Sequence, residues 1–538
     1  MTQSPIQGSA ILYHNAENSI FLIDTPHSIA LAQESVCPAS SRNPDRRLSH
    51  AQDYLTLPRA KCSSRRRQLL STPPLETPFP STEPKSHAAR AKVLDTIPLS
   101  EQRFHRNFIQ PLVDSALQVL WDEIQSRGGQ WCLPRCVHDD QPRRQMKTDA
   151  WPAGRQSDSG RKRRNGDMSE DGHLAKEVHG DEFSRLMPPV ILSSTSVNCF
   201  ESISDLNGSI VKNGSSERAT LAVRSSSDAH AHVYTEYIIP PSAKFILCTL
   251  PLSQPETTLP GRILALNNPI PALPPTQKFD LLLFDPPWPN RSVRRSGHYQ
   301  INAYSEMDLL TQRLRDILRV HSYQSGHSPV ENSTPKPSLH QTRPQSRVSL
   351  AAIWITNAEK ARRAAYDALL SAGHCIVEEW VWVKTTVDGR PISQVDGLWR
   401  KPYEILVIGR ADRDRCSVDL GVIATTRTTA TVTLDGRIST SQEDDLLGIN
   451  PAGIRRRVIA AVPDLHSRKP NLKEVFERVF FTEGHETEGS NLDDSGARIQ
   501  QYSAMEVFAR NLTAGWWACG NEVLKFNARE CWVDEGDS

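Results

Sequence analysis

Residues Phe279-Asp280-Leu281-Leu282-Leu283-Phe284 form a short, almost continuous apolar run that stops abruptly at Asp285-Pro286-Pro287-Trp288-Pro289. Such a run, bounded by a turn, is what a strand buried on both faces of a parallel sheet requires. Two consecutive prolines end it, because neither has an N–H for a ladder and both fix φ. In open α/β sheets ligands bind beyond the carboxyl ends of the strands, so this turn is a candidate site.

The turn also has usable chemistry. Its backbone is rigid, its carbonyls are available as acceptors, Asp285 adds a carboxylate and Trp288 an aromatic face. The exocyclic amine of adenine is a poor nucleophile, because its lone pair is delocalised into the ring. A carboxylate and a carbonyl that accept its two N–H bonds would draw the nitrogen toward tetrahedral geometry and aim it at an electrophile. Asp285 and Pro286 can supply those acceptors, Pro287 holds the arc, and Trp288 can stack on a planar base. The plainer alternative is a strand-ending turn with no chemistry.

Around the turn the pattern is that of a sheet flanked by helices. Strands are expected at 245–247, 279–284, 350–355, 376–383, 405–408, 458–462, 504–508 and 523–526, with helices at 358–371 and 471–480. These place an α/β domain over residues 233–534, interrupted by polar, turn-rich insertions at 323–347 and 411–450. Upstream, Phe108, Ile109, Leu112, Val113, Leu117, Leu120, Trp121 and Ile124 share one helical face within a segment spanning 99–135. Residues 1–39 read as a short, partly ordered segment and 40–98 as a disordered linker rich in Ser, Pro and Arg. Residues 136–232 read as mostly disordered, around the basic cluster Arg161-Lys162-Arg163-Arg164.

Composition supports a chain that is folded only in part: 38% hydrophobic residues and 38 prolines against 27 glycines. Lys and Arg number 63 against 62 Asp and Glu, so any attraction to a polyanion must come from local patches. Cys132 and Cys136 lack a second pair at ligand spacing, so they read as free thiols and no metal is expected. No run is long and apolar enough for a membrane span, no secretory signal is evident, and Arg161–Arg164 suits nuclear import, with the cytoplasm as a second location.

Asp285-Pro286-Pro287-Trp288 after an apolar strand resembles the MT-A70 family of adenine-N6 methyltransferases, and within it the branch of methyltransferase-like protein four. The likeness continues through Asn290-Arg291-Ser292-Val293-Arg294-Arg295-Ser296, Glu379-Trp380-Val381-Trp382-Val383-Lys384 and Arg400-Lys401-Pro402-Tyr403-Glu404. Further blocks are His466-Ser467-Arg468-Lys469-Pro470, Phe508-Ala509-Arg510-Asn511 and Gly520-Asn521-Glu522-Val523-Leu524-Lys525-Phe526. The amino-terminal half is covered weakly or not at all.

The resemblance implies a Rossmann-like S-adenosylmethionine-dependent methyltransferase fold of permuted motif order, the catalytic turn preceding the cofactor segment. It implies that Lys469 pairs with the cofactor carboxylate, while Arg510, Asn511, Asn521 and Glu522 hold the ribose and neighbouring groups. Without it, Lys469 and Arg510 would read as surface charges. It places Lys401, Tyr403 and Glu404 at the substrate, Glu404 facing adenine, although a strand-end carboxylate paired with Lys401 would look the same. Arg291, Arg294 and Arg295, interleaved with Tyr299, suit phosphates flanking the target, with a solvated loop as the alternative. Where relatives carry an acidic residue near the cofactor, this chain has Cys248 and Thr249, which puts contact from that segment in doubt.

The substrate implied is adenine in RNA, with the 2′-O-methyladenosine of small nuclear RNA as the favoured class. DNA adenine is the alternative, and a non-catalytic RNA-binding partner is the alternative of another class. Oligomeric state is left open.

Overall fold

A computed structural model describes residues 8–34, 67–137, 188–224, 234–250, 268–288, 305–323, 348–411, 453–465, 468–482 and 499–534. The strands before the Asp285–Trp288 turn are β1 (Ile11–His14), β2 (Ile20–Ile23), β3 (Arg67–Leu69), β4 (Val190–Leu192), β5 (Asn198–Phe200), β6 (Ile210–Asn213), β7 (Ala219–Arg224), β8 (Tyr234–Ile239) and β9 (Lys244–Leu247). The turn follows β10 (Leu281–Phe284). Beyond it come β11 (Leu350–Ile355), β12 (His374–Lys384), β13 (Tyr403–Ala411), β14 (Arg455–Ala461), β15 (Ala504–Val507), β16 (Trp517–Gly520) and β17 (Trp532–Asp534).

Twelve of these strands make one sheet in the order β1-β2-β14-β12-β13-β11-β10-β15-β16-β9-β6-β4. At its centre β11, β10, β15, β16 and β9 run parallel, each to the next. β13 is antiparallel to both β11 and β12.

Alternation along the strands feeds two hydrophobic layers. Leu282 and Phe284 of β10 join Ile353, Ile405 and Val507 beneath the helices Ser305–His321 and Glu359–Ser371. Leu281 and Leu283 face the other way, with Trp354, Trp380 and Phe476 of the helix Lys473–Phe480. All four apolar residues of β10 are buried, as a central parallel strand requires.

The helical face read at 99–135 packs on the first layer through Phe104, Ile109 and Val113. Its main helix is Gln110–Arg127, stopped by Gly128 in the left-handed conformation, φ 59°.

Three sequence expectations are corrected. No strand covers 523–526: turns there lead into a single 3₁₀ turn at Lys525–Asn527, where the Phe526 N–H donates to the Arg510 carbonyl at 2.9 Å, and the strand lies earlier, at β16. The linker read over 40–98 holds structure in its described part, because β3 pairs with β17 and His87–Leu94 is helical. The stretch 136–232 contributes β4 and β6 to the large sheet, through β6 against β9. These strands are only three to six residues long and borrow their apolar partners from distant segments. Local periodicity is too brief to reveal them. The insertions at 323–347 and 411–450 and the basic cluster Arg161–Arg164 lie almost wholly or wholly outside the described residues.

Candidate active site

The parallel strands deliver their carboxyl ends to one edge of the sheet. Asp285 follows β10, the segment from Phe508 to Arg510 follows β15, and Asn521 and Glu522 follow β16. β13 is antiparallel and so presents its first residues, Tyr403 and Glu404, at that same edge, beside Lys384 at the end of β12.

The Asp285 N–H donates to the Val507 carbonyl at 3.1 Å, which ties the turn to β15. The Trp288 N–H donates to the Pro286 carbonyl at 2.8 Å and closes the turn. That oxygen keeps a second lone pair for another donor. The Trp288 indole is 7% exposed, and its Nε1 donates to the Trp354 carbonyl at 2.6 Å. It therefore fastens the turn to β11 rather than offering an open face to a base. The reason is general: a buried indole N–H must find an acceptor, and here a strand-end carbonyl supplies it. Pro286 is buried and Pro287 half-buried, which leaves the backbone arc rigid.

Both oxygens of Asp285 are taken by cations: Lys469 Nζ at 3.0 Å and Arg510 Nη1 at 2.7 Å. Lys469 also reaches Glu404 at 3.1 Å, and Lys384 donates to the other oxygen of Glu404 at 2.6 Å. On the opposite flank Arg510 Nε meets Glu522 at 3.1 Å, and Lys525 meets its second oxygen at 2.9 Å. The result is one alternating chain of charges, Lys384, Glu404, Lys469, Asp285, Arg510, Glu522 and Lys525, with 13–27% of each side chain exposed. Burial opposes the charge on Glu404, but Lys469 and Lys384 hold its carboxyl well below the usual range. Burial likewise opposes the charge on Lys469, but Asp285 and Glu404 raise it above an ordinary lysine. Glu506 on β15 goes the other way: burial, then the neighbouring Asp285, push it up to about 8.

Two backbone features shape the loops. Phe508, at φ +61°, occupies the left-handed region just after β15. Gly520, at φ +148°, lies so close that a Cβ would meet Phe508 Cα at 3.2 Å and Ala509 N at 3.4 Å. The loops after β15 and β16 therefore converge through a glycine, as backbones do around a bound ligand.

The expected site residues divide clearly. Lys469, Arg510, Glu522 and Glu404 converge on Asp285, with Asn511 half-buried beside Arg510 and Asn521 exposed beside Glu522. Tyr403 is corrected: it is 1% exposed, and its hydroxyl pairs with His105 Nδ1 at 2.9 Å. Alternation explains this, since Tyr403 and Ile405 face the helical layer while Glu404 faces the charge chain. Lys401 is drawn toward the partly buried Glu101 rather than Glu404, and burial lowers its affinity for a proton. Arg291, Arg294, Arg295 and Tyr299 lie outside the described residues. Cys248 is 5% exposed, in the helical layer with Cys519. Cys132 and Cys136 are free thiols, and among the described residues no three His, Cys, Asp or Glu side chains cluster as metal ligands.

Sequence reading missed Lys384, Lys525 and Glu506. Lys384 and Lys525 lie within the blocks that carried the family resemblance, but their partners are distant in sequence, and nothing local pointed to them.

The residues present fit S-adenosylmethionine. Along the chain four cationic side chains alternate with three acidic ones, a pattern that suits a ligand carrying its own carboxylate. The glycine-lined approach of the β15 and β16 loops supplies the cradle.

Residues 338–447 match the MT-A70 family model. The N6-methyladenosine RNA methyltransferase MTA1 of Cryphonectria parasitica is 33% identical over 264 residues, 48% of this chain and 55% of that protein. The protein of the same name from Pyricularia oryzae is 26% identical over 530 residues, 98% of this chain and 96% of its own length. The human N(6)-adenine-specific methyltransferase METTL4 is 28% identical over 300 residues, 54% of this chain and 44% of that protein. Two of these matches thus span about half of the relative's length, and one spans nearly all of it. With the Asp-Pro-Pro-Trp turn at the carboxyl end of a central parallel strand and the charge chain gathered on it, the chain carries an MT-A70 domain match and is similar to named N6-adenine methyltransferases.

Proposed function

We propose that this protein transfers a methyl group from S-adenosylmethionine to the N6 amine of adenine in RNA. The observation that carries the reading is the pair of acceptors at the end of β10: the Asp285 carboxylate, gripped by Lys469 and Arg510, and the Pro286 carbonyl, fixed by the turn. A carboxylate offers about four lone-pair sites. Asp285 can therefore accept an adenine N–H while keeping both cations, and Pro286 accepts the second N–H.

Bound S-adenosylmethionine would supply a methyl on a sulfonium. Lys469 and Arg510 hold the carboxylate of Asp285 still, so the amine meets preorganised acceptors rather than reorienting solvent. Glu404 and Glu522 in turn hold those two cations. With two N–H bonds accepted, the nitrogen would become more tetrahedral and its lone pair would be withdrawn from conjugation with the ring, available to a methyl donor opposite the two acceptors. Methyl transfer would form the N–C bond as the methyl–sulfur bond breaks with its electron pair kept on sulfur, and the nitrogen, then positive, would lose a proton along the hydrogen bond to Asp285.

RNA is favoured because the two fungal relatives are named as RNA methyltransferases. Adenosine already 2′-O-methylated in small nuclear RNA is our preferred substrate within that class, and the nucleus our preferred location. DNA is the second reading, since the name of the human relative specifies adenine without naming the polymer. The purified protein should be given S-adenosylmethionine and matched RNA and DNA oligonucleotides, with and without 2′-O-methylation. Mass spectrometry of the nucleosides should show N6-methyladenosine from RNA; equal or greater turnover on DNA would overturn the RNA assignment.

A further inference from the structure

The loop joining β12 to β13, residues 385–402, rises directly from the site, since Lys384 precedes it and Glu404 follows. A proline-rich segment, residues 75–83, is laid along it in matching order. The Val387 N–H donates to the Leu75 carbonyl at 3.0 Å, and the Phe79 N–H donates to the Ile392 carbonyl at 2.9 Å. Glu83 Oε1 then accepts from the N–H groups of Leu398, at 3.0 Å, and Trp399, at 3.2 Å. Gly397 makes the turn: a Cβ there would meet the Arg400 carbonyl at 2.7 Å and Glu83 Oε1 at 3.2 Å.

The backbone around Trp399 is thus pinned, yet its side chain is 57% exposed, and Phe79 on the strap is 54% exposed. Among the described residues neither ring has an aromatic or cationic partner. Arg400, next in sequence, is exposed, and its guanidinium pairs with no described carboxylate. An exposed tryptophan on a fixed backbone, beside a free guanidinium and four residues from Lys384-bound Glu404 counted along the chain from Arg400, has the makings of a stacking platform with a phosphate contact.

We infer that Trp399, with Phe79 on the strap, stacks nucleobases adjacent to the target adenine in single-stranded RNA, while Arg400 contacts the phosphate between them. This rests on the function proposed above. A base presents a π-face whatever its identity, so the platform holds the strand without reading its sequence. It would keep the target adenine near Asp285 while adding nothing to the transfer step itself.

The test is direct binding of a fluorescent, adenine-containing RNA single strand, with methyl transfer measured separately. Trp399→Ala should weaken binding about ten-fold and raise KM by a similar factor, with kcat at saturating RNA unchanged. Trp399→Phe should restore most of the affinity, and Phe79→Ala should show a smaller loss. Melting temperature and S-adenosylmethionine affinity should match the wild type, because the ring is exposed. Wild-type RNA affinity in Trp399→Ala would overturn the inference, as would a loss of cofactor affinity that Trp399→Phe also shows. If the wild-type protein binds and methylates no RNA at all, it is the functional reading that fails.

Discussion

Asp285→Asn is the sharpest probe of the site, because it keeps the shape of the side chain and removes its charge. Two ion pairs weaken, with Lys469 at 3.0 Å and Arg510 at 2.7 Å. Neither cation is left bare, since Lys469 keeps Glu404 and Arg510 keeps Glu522, both at 3.1 Å. The expected loss of unfolding free energy is therefore about 1–3 kcal/mol, less than the 3–5 kcal/mol typical when a buried charge loses its sole partner. Catalysis should suffer more. Loss of one preorganised electrostatic contact in an active site raises the barrier by about 2.7–4 kcal/mol, so kcat should fall on the order of a hundred- to a thousand-fold. Affinity for S-adenosylmethionine should hold or tighten, because two cations are released from Asp285. Urea unfolding, calorimetric titration with the cofactor and single-turnover transfer read by nucleoside mass spectrometry measure the three quantities. Transfer within ten-fold of the wild type would refute the role of Asp285 as acceptor, and abolished cofactor binding would assign the residue to the cofactor instead.

Gly520→Ala should destabilise the protein by about 1–3 kcal/mol and weaken cofactor binding, because its Cβ would meet Phe508 Cα at 3.2 Å and φ is +148°; unchanged melting and affinity would show that the loops have room. Lys384→Met should leave Glu404 to Lys469 alone, pull that lysine from Asp285 and lower transfer roughly ten-fold with cofactor affinity kept, whereas equal losses in both would contradict the relay. Stability should peak near pH 6.5. Glu506, whose ordinary value is 4.5, keeps its proton up to about 8 in the fold, so the native state binds more protons in that window and stability falls as pH rises through it. His105, His321 and His374, ordinarily 6.5, are lowered by burial to about 3, 4 and 4, so the unfolded state binds more protons there and stability is lost as pH falls below 6.5. Denaturation from pH 5 to 9 checks both limbs; Glu506→Gln should flatten the alkaline one, and an unchanged slope would refute the assignment.

The central strands were legible because burial on both faces leaves an unmistakable mark: β10 and β11 are apolar throughout, and the prolines after β10 fix where it stops. Edge strands leave no such mark. β4 and β6 are built from three and four residues, and what makes them strands is pairing, β4 with β6 and β6 with β9, whose apolar residues lie elsewhere in the sequence. The same limit governs the site. Asp285 and Lys469 each stood out within a motif, but that they touch was not readable. The family resemblance puts Tyr403 at the substrate together with Glu404, yet in a strand adjacent residues face opposite ways, and only one of the two can reach the charge chain.

Lys469 and Arg510 lie 184 and 225 residues from Asp285 along the chain, yet all three reach one point. The sheet order makes this possible by setting β15 and β11 on either side of β10, so the strand bearing the turn becomes the centre onto which later segments fold. This also explains why the motif order matters so little to the chemistry. A parallel sheet delivers its carboxyl ends to one edge whatever the sequence of its strands, and β13 reaches that edge only by running antiparallel. Permuting the strands changes the connections and leaves the site intact. Shifting β13 by one residue would instead turn Glu404 into the helical layer and Tyr403 toward Lys469, and the charge chain would lose both links that Glu404 makes.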